Sequence, residues 1–138
     1  MENSNKNNHL QMIQDIITRM GQNSFFIKEC AVGVMVAIYA LVKDESSKVV
    51  IISTIPTIVF WALDAYYLML ERMYRCLYDA VRVKDEKDID YDMSFRAIKV
   101  NMNDVKKYCY FRVLFSKTIW PIYVACIATT LIIYLVNF

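Results

Sequence analysis

The chain reads as an all-α membrane protein with three transmembrane helices, an N-terminal amphipathic helix and a helical cytoplasmic region between the second and third spans, assembled as a homo-oligomer. Three observations predict this. Of 138 residues 57% are hydrophobic and the mean hydropathy is +0.29, more apolar surface than a small soluble domain buries. Three apolar stretches, 25–42, 49–70 and 118–136, each hold about 18 to 22 residues, enough for a helix to cross a hydrocarbon core of roughly 30 Å. The 16 Lys and Arg are unevenly placed: eleven lie between Arg72 and Lys117.

The first unit, 1–24, begins polar and Asn-rich, a composition that predicts disorder around the lone His9. No basic n-region or small-residue cleavage site precedes the first apolar run, so no removable signal is expected. Leu10, Ile13, Ile17 and Met20 then recur at helical spacing among Gln14, Asp15 and Arg19. That pattern predicts a short amphipathic helix, lying on the inner leaflet or against the cytoplasmic loop and leading into the first span across Gly21.

The second unit, 25–70, is a transmembrane hairpin, because only 43–48 separates the first two spans. The third span occupies the unit 118–138 and no further domain is expected after it. Pro56 and Pro121 fall in the second and third spans, where a proline frees a carbonyl and bends the helix. Gly33 with Ala37, and Ala125 with Thr129, form small-xxx-small faces that nominate packing seams. Cys30, Cys76, Cys109 and Cys126 show no CxxC spacing and no neighbouring His, and read as reduced packing residues without metal or redox chemistry.

Orientation follows from the positive-inside rule: the N-terminus and the long 71–117 segment are cytoplasmic, while the first loop and the C-terminus face out. Counted from Val49, Asp64 lies roughly 22 Å into the membrane, in its cytoplasmic third. A carboxylate there costs a few kcal/mol and takes a partner or lines a wet path. Lys28 and Lys117 lie near the same inner boundary and are the candidate partners. Two arrangements remain open, an ion pair that fixes helix packing and an acid facing a water-filled axis shared between subunits.

Beyond Leu70 the helical pattern continues in the third unit, 71–117. Glu71 with Arg75, and Arg75 with Asp79, are spaced i,i+4, and Asp64, Leu68, Glu71, Arg75 and Arg82 form one stripe from bilayer to cytoplasm. Such a rod can couple a cytoplasmic event to a membrane event, with Glu71, Asp79, Tyr74 and Tyr78 as its coupling residues. The segment from Glu71 to Lys117 holds eleven basic and eight acidic residues. Its basic clusters, Arg72, Arg75 and Arg82, then Lys99, Lys106, Lys107 and Arg112, have Tyr74, Tyr78, Tyr108, Tyr110 and Phe111 among them, a set able to hold phosphates and stack bases. Positive-inside topology predicts the same basic excess. Asp88, Asp90 and Asp92 alternate as in a calcium loop, but the turn glycine is missing and Lys99 stands where the closing Glu belongs. A solvated loop is expected there, and Asn101 or Asn103 is the N-cap expected for the helix that runs into the third span.

The run Trp61-Ala62-Leu63-Asp64-Ala65-Tyr66-Tyr67-Leu68-x-x-Glu71-Arg72-x-Tyr74-Arg75-x-Leu77-Tyr78-Asp79, with Phe115-Ser116-Lys117-Thr118-Ile119-Trp120-Pro121-x-Tyr123 at the third span, resembles small bacterial membrane proteins that share the helix from Leu63 to Tyr78. It is similar to the transmembrane effectors of nucleotidyltransferase-linked antiphage systems, the Hailong membrane effector among them. The resemblance covers about the second half of the chain. It implies an oligomeric inner-membrane protein, with a tetramer as one arrangement, whose opening depolarises the cell under control of a nucleotide or single-stranded oligonucleotide made by a partner nucleotidyltransferase.

Three classes of function are open to such a chain: an oligomeric channel, a non-conducting anchor, and an enzyme or transporter. An enzyme is disfavoured because no nucleophile with a base, metal cluster or Gly-rich phosphate loop is present, and no cofactor is expected. A transporter is disfavoured by three spans without a repeat. An oligomeric channel gated from the cytoplasm and a non-conducting anchor that recruits a cytoplasmic partner protein are the two readings left.

Overall fold

The computed structural model describes residues 4–41, 48–94, 96, 98 and 109–137, and no strand occurs among them. Helix α1 spans Ser4–Leu41, α2 Lys48–Val83, a 3-10 turn Glu86–Asp88, α3 Tyr110–Leu114 and α4 Trp120–Asn137. At 1.5 Å per residue α1 and α2 are each roughly 55 Å long, nearly twice a hydrocarbon core. They form an antiparallel hairpin in steady register. Lys6 meets the carbonyls of Arg82 and Lys84, Gly21 meets Glu71, Ser24 and Lys28 meet Asp64, and Tyr39 meets Ser53.

The amphipathic segment and the first apolar stretch are one helix, without a break at Gly21. A helical glycine costs only about 1 kcal/mol relative to alanine, and this one sits where Glu71 crosses: a Cβ built on Gly21 would lie 3.6 Å from Glu71 Oε2. The stripe faces α2. Ile13 and Ile17 are buried with Met73, Leu77, Val81, Ile89 and Ile98, and Leu10, Tyr74 and Tyr78 pack on their flank. The expected loop after α2 is therefore pinned to this two-helix stalk by Ile89 and Ile98. The expected disorder around His9 is also corrected. His9 lies within α1, 5% exposed, with its ring edge-on to Tyr91 at 5.3 Å. Lys6 Nζ donates to two carbonyls at the end of α2, 2.6 and 3.1 Å away, where the helix dipole favours a cation.

Above the stalk the polarity inverts. On α2 the polar Ser53, Thr57 and Asp64 are buried while Ile52, Ile55, Ile58 and Val59 are exposed. On α4 Thr130 is buried while Leu131, Ile132 and Leu135 are exposed. Buried hydroxyls satisfied within their own helix, Thr57 on the Ser53 carbonyl and Thr130 on the Cys126 carbonyl, and apolar side chains outside are what a hydrocarbon solvent selects. Two helices, α1 and α2, are long and apolar enough to cross a membrane, and α4 carries a shorter apolar run, Trp120–Leu135.

Neither proline is placed as a break. Helix α2 runs unbroken through Pro56. Pro121 is the second residue of α4, in the first turn, where a helix N–H has no intrahelical partner and its loss costs nothing. The nominated small-residue faces point away from the protomer's own core: Gly33, Ala37, Ala125 and Thr129 are exposed, and nothing lies within 4 Å of a Cβ built on Gly33. The seam within the chain uses Ala31 and Ala65 instead. Among the described residues no disulfide joins the four cysteines, but Cys109 is exposed and so does not pack a core.

Candidate functional site

Where the stalk meets the inverted-polarity bundle, α1, α2 and α4 converge on Asp64. Its side chain is fully buried. Lys28 Nζ approaches Asp64 Oδ2 at 2.7 Å and Oδ1 at 2.8 Å. Ser24, one turn before Lys28 on the same face, donates its hydroxyl to Asp64 Oδ1 and accepts from Lys28 Nζ at 2.8 Å. From α4 the Tyr123 hydroxyl donates to Asp64 Oδ2 at 3.2 Å. Both carboxylate oxygens are thus occupied by donors of the same chain, which is what a buried charge requires.

A ring of aromatic contacts closes the site. Trp61 stacks on Tyr123 with ring centres 5.9 Å apart and meets Phe115 edge-on at 5.7 Å. Its Nε1 donates to the Leu114 carbonyl at 3.0 Å, and the Tyr110 hydroxyl donates to the Ala62 carbonyl at 2.9 Å. These two bonds fix α3 against α2 at the height of Asp64. Val113 and Ile119 are fully buried beneath.

Of the two arrangements the sequence left open, this one is the ion pair, with Asp64 turned into the protomer and Lys28 as its partner. Lys117 is exposed in the turn before α4, and among the described residues it makes no ion pair with Asp64. Sequence reasoning missed Ser24, Trp61 and Tyr123 as members of the site. Ser24 could have been found from its i,i+4 spacing to Lys28, since that spacing puts both on one helix face. Tyr123 and Trp61 carried no such signal, because only the packing of α4 and α3 onto α2 brings them in.

Down the stalk, Arg75 pairs with Glu71 at 2.7 Å. Asp79 does not take Arg75, as its spacing suggested, but lies 3.9 Å from Arg82, with both side chains exposed. Arg75, Tyr78 and Asp79 line a cavity of about 220 Å³ together with Gln14 and Ile17 of α1. A wider cavity of about 430 Å³ at the foot of the stalk is lined by Asn5, Asn8, His9, Met12, Tyr91 and Met93. Arg72 is half-buried, and Arg82 and Arg112 are exposed. Lys99, Lys106, Lys107, Asn101, Asn103 and Tyr108 lie outside the described residues. Arg112 does not join the stalk arginines: α3 is held at Ala62, and 13 residues of helix, roughly 20 Å, separate Ala62 from Arg75.

Among the described residues no group of three or more His, Cys, Asp or Glu side chains is placed to hold a metal. What the site holds is a buried carboxylate with both oxygens matched to donors. Comparison with protein-family models, with curated proteins and with solved structures found no match.

Proposed function

We propose that the chain is an oligomeric effector of the bacterial inner membrane, with three spans per subunit and a cytoplasmic N-terminus, forming an ion channel in which the Lys28–Asp64 pair latches the closed state. A nucleotide or oligonucleotide messenger acting on the stalk releases the latch, a role that fits antiphage defence. The observation that carries this reading is the position of the pair. Its carboxylate is fully buried, and the pair joins the two helices that run unbroken from stalk to bundle, so sliding or rotating one against the other at the stalk strains it. Asp64 then contributes to a conducting path only after release. Arg75 and Tyr78 line a cavity beside Asp79, residue types that take a phosphate and stack a base, and a messenger phosphate there competes with Glu71 for Arg75.

A non-conducting anchor for a cytoplasmic partner protein is the second reading. It is favoured by the open cavity at the foot of the stalk, far from the membrane. Ion flux from proteoliposomes separates the two. The channel reading expects flux on messenger addition, and messenger-independent flux in Asp64→Ala. It is wrong if the reconstituted protein never conducts and Asp64→Ala keeps full activity in cells.

A further inference from the structure

Residues 109–120 form a strap with two faces. The inner face is fastened to α2 by the Tyr110–Ala62 and Trp61–Leu114 hydrogen bonds and by the buried Val113 and Ile119. The outer face carries Phe111 at 70%, Phe115 at 64% and Trp120 at 41% exposure. Arg112 and Lys117, also exposed, are interleaved with these rings, and among the described residues neither has an acidic partner.

The height of the strap identifies what covers this face. From Asp64 back to Lys48 on α2, from Phe25 to Leu41 on α1, and along α4 from Trp120, each helix rises roughly 25 Å. All three therefore span about one hydrocarbon core above the strap. Aromatic rings and basic side chains gather at such a boundary, the rings among the upper acyl chains and the cations among the headgroups.

We infer that the strap is a lipid-binding surface: Phe111, Phe115 and Trp120 enter the inner-leaflet interface, and Arg112 and Lys117 take the phosphates of anionic phospholipids. Arg112 thus serves the membrane surface and not the messenger. Through Trp61, which touches Phe115 on one side and Tyr123 on the other, the lipid-bound strap also braces the residue that donates to Asp64. The inference rests on the membrane reading but not on conductance.

The test uses the full chain in phosphatidylcholine vesicles holding a minor share of phosphatidylglycerol, with bromine near the top of the acyl chains of one lipid or the other. The emission difference between the unsubstituted chain and Trp120→Phe isolates quenching of Trp120. Quenching by brominated phosphatidylglycerol is expected to exceed its mole share, with a local preference of roughly fivefold per basic residue. It should fall to the mole share in the Arg112→Gln/Lys117→Gln variant and persist in Arg112→Lys. Quenching at the mole share in the unsubstituted chain overturns the inference. So does co-flotation with vesicles without quenching by either lipid, which means that protein covers the strap. If a free mononucleotide abolishes the preference, Arg112 belongs to a messenger site and the inference falls. Failure to float with vesicles removes the membrane reading as well, whereas absence of ion flux bears on the channel reading alone.

Discussion

Replacing Lys28 by Met removes the ammonium that contacts Asp64 at 2.7 and 2.8 Å and leaves a carboxylate with no exposed surface, held only by Ser24 and Tyr123. Breaking a buried ion pair from one side costs about 3–5 kcal/mol, because the remaining charge is stranded. The reverse change, Asp64→Asn, is milder. It keeps a polar group against Ser24 and Tyr123, and the Lys28 side chain, 15% exposed, can turn its ammonium outward along an apolar stem, so about 1–3 kcal/mol is expected. Removing both charges in Lys28→Met/Asp64→Asn should bring stability back to within ~1–2 kcal/mol of the original chain. Reversible unfolding in mixed micelles, run as a double-mutant cycle, measures the coupling, which should be several kcal/mol, the double variant losing less stability than the two single variants summed. Equal single costs below ~1 kcal/mol that simply add would refute the argument, since that is how a pair already in contact with water behaves.

Two further outcomes test the stalk. Gly21→Ala should raise stability by about 0.5–1 kcal/mol, because its Cβ meets only Glu71 at ordinary contact distance; a loss in the same unfolding assay would mean that α1 breaks at Gly21 or crosses α2 more closely. Asp92 accepts from the Ser94 backbone N–H and hydroxyl, both at 2.8 Å, and these bonds, the backbone one first, hold its carboxyl below the ordinary carboxylate range. A lowered folded value means that its contribution is complete above the ordinary value of about 3.9 and is lost as pH falls through the lowered one. Amide exchange at Ser94 should therefore accelerate in acid relative to Asp92→Asn, and identical profiles for the two chains would remove the assignment.

Much of the fold was legible in the residues because helical periodicity and apolar length are local properties. The second span and its charged continuation through Arg75 and Arg82 are one helix, as their uninterrupted pattern implied. The cost of an acid in that helix pointed to Asp64 and, through its depth, to Lys28 and Lys117, of which Lys28 makes the pair. The misplaced elements share one cause. His9 and the segment holding Ile89 were read from their own composition, which lacks the apolar surface to fold alone. They are ordered because the extended α2 offers them a surface to bury. Pro121 was counted inside a span, but the helix begins one residue earlier and the ring falls in its first turn. Arg112 was grouped with other cations along the chain, yet α3 folds up to Ala62.

By itself, then, the amino-acid sequence determined a helical chain with long apolar segments and an acid that needs a partner or a wet path, since length, periodicity and desolvation are set by a segment's own residues; of the three spans it suggested, two are long apolar helices and the third a shorter apolar run. Only the tertiary structure decided that this acid faces inward to Lys28, Ser24 and Tyr123. Which way a helix turns its polar face is settled by the helices packed around it, and here the antiparallel register of α1 on α2 and the docking of α4 put every matching donor on one side.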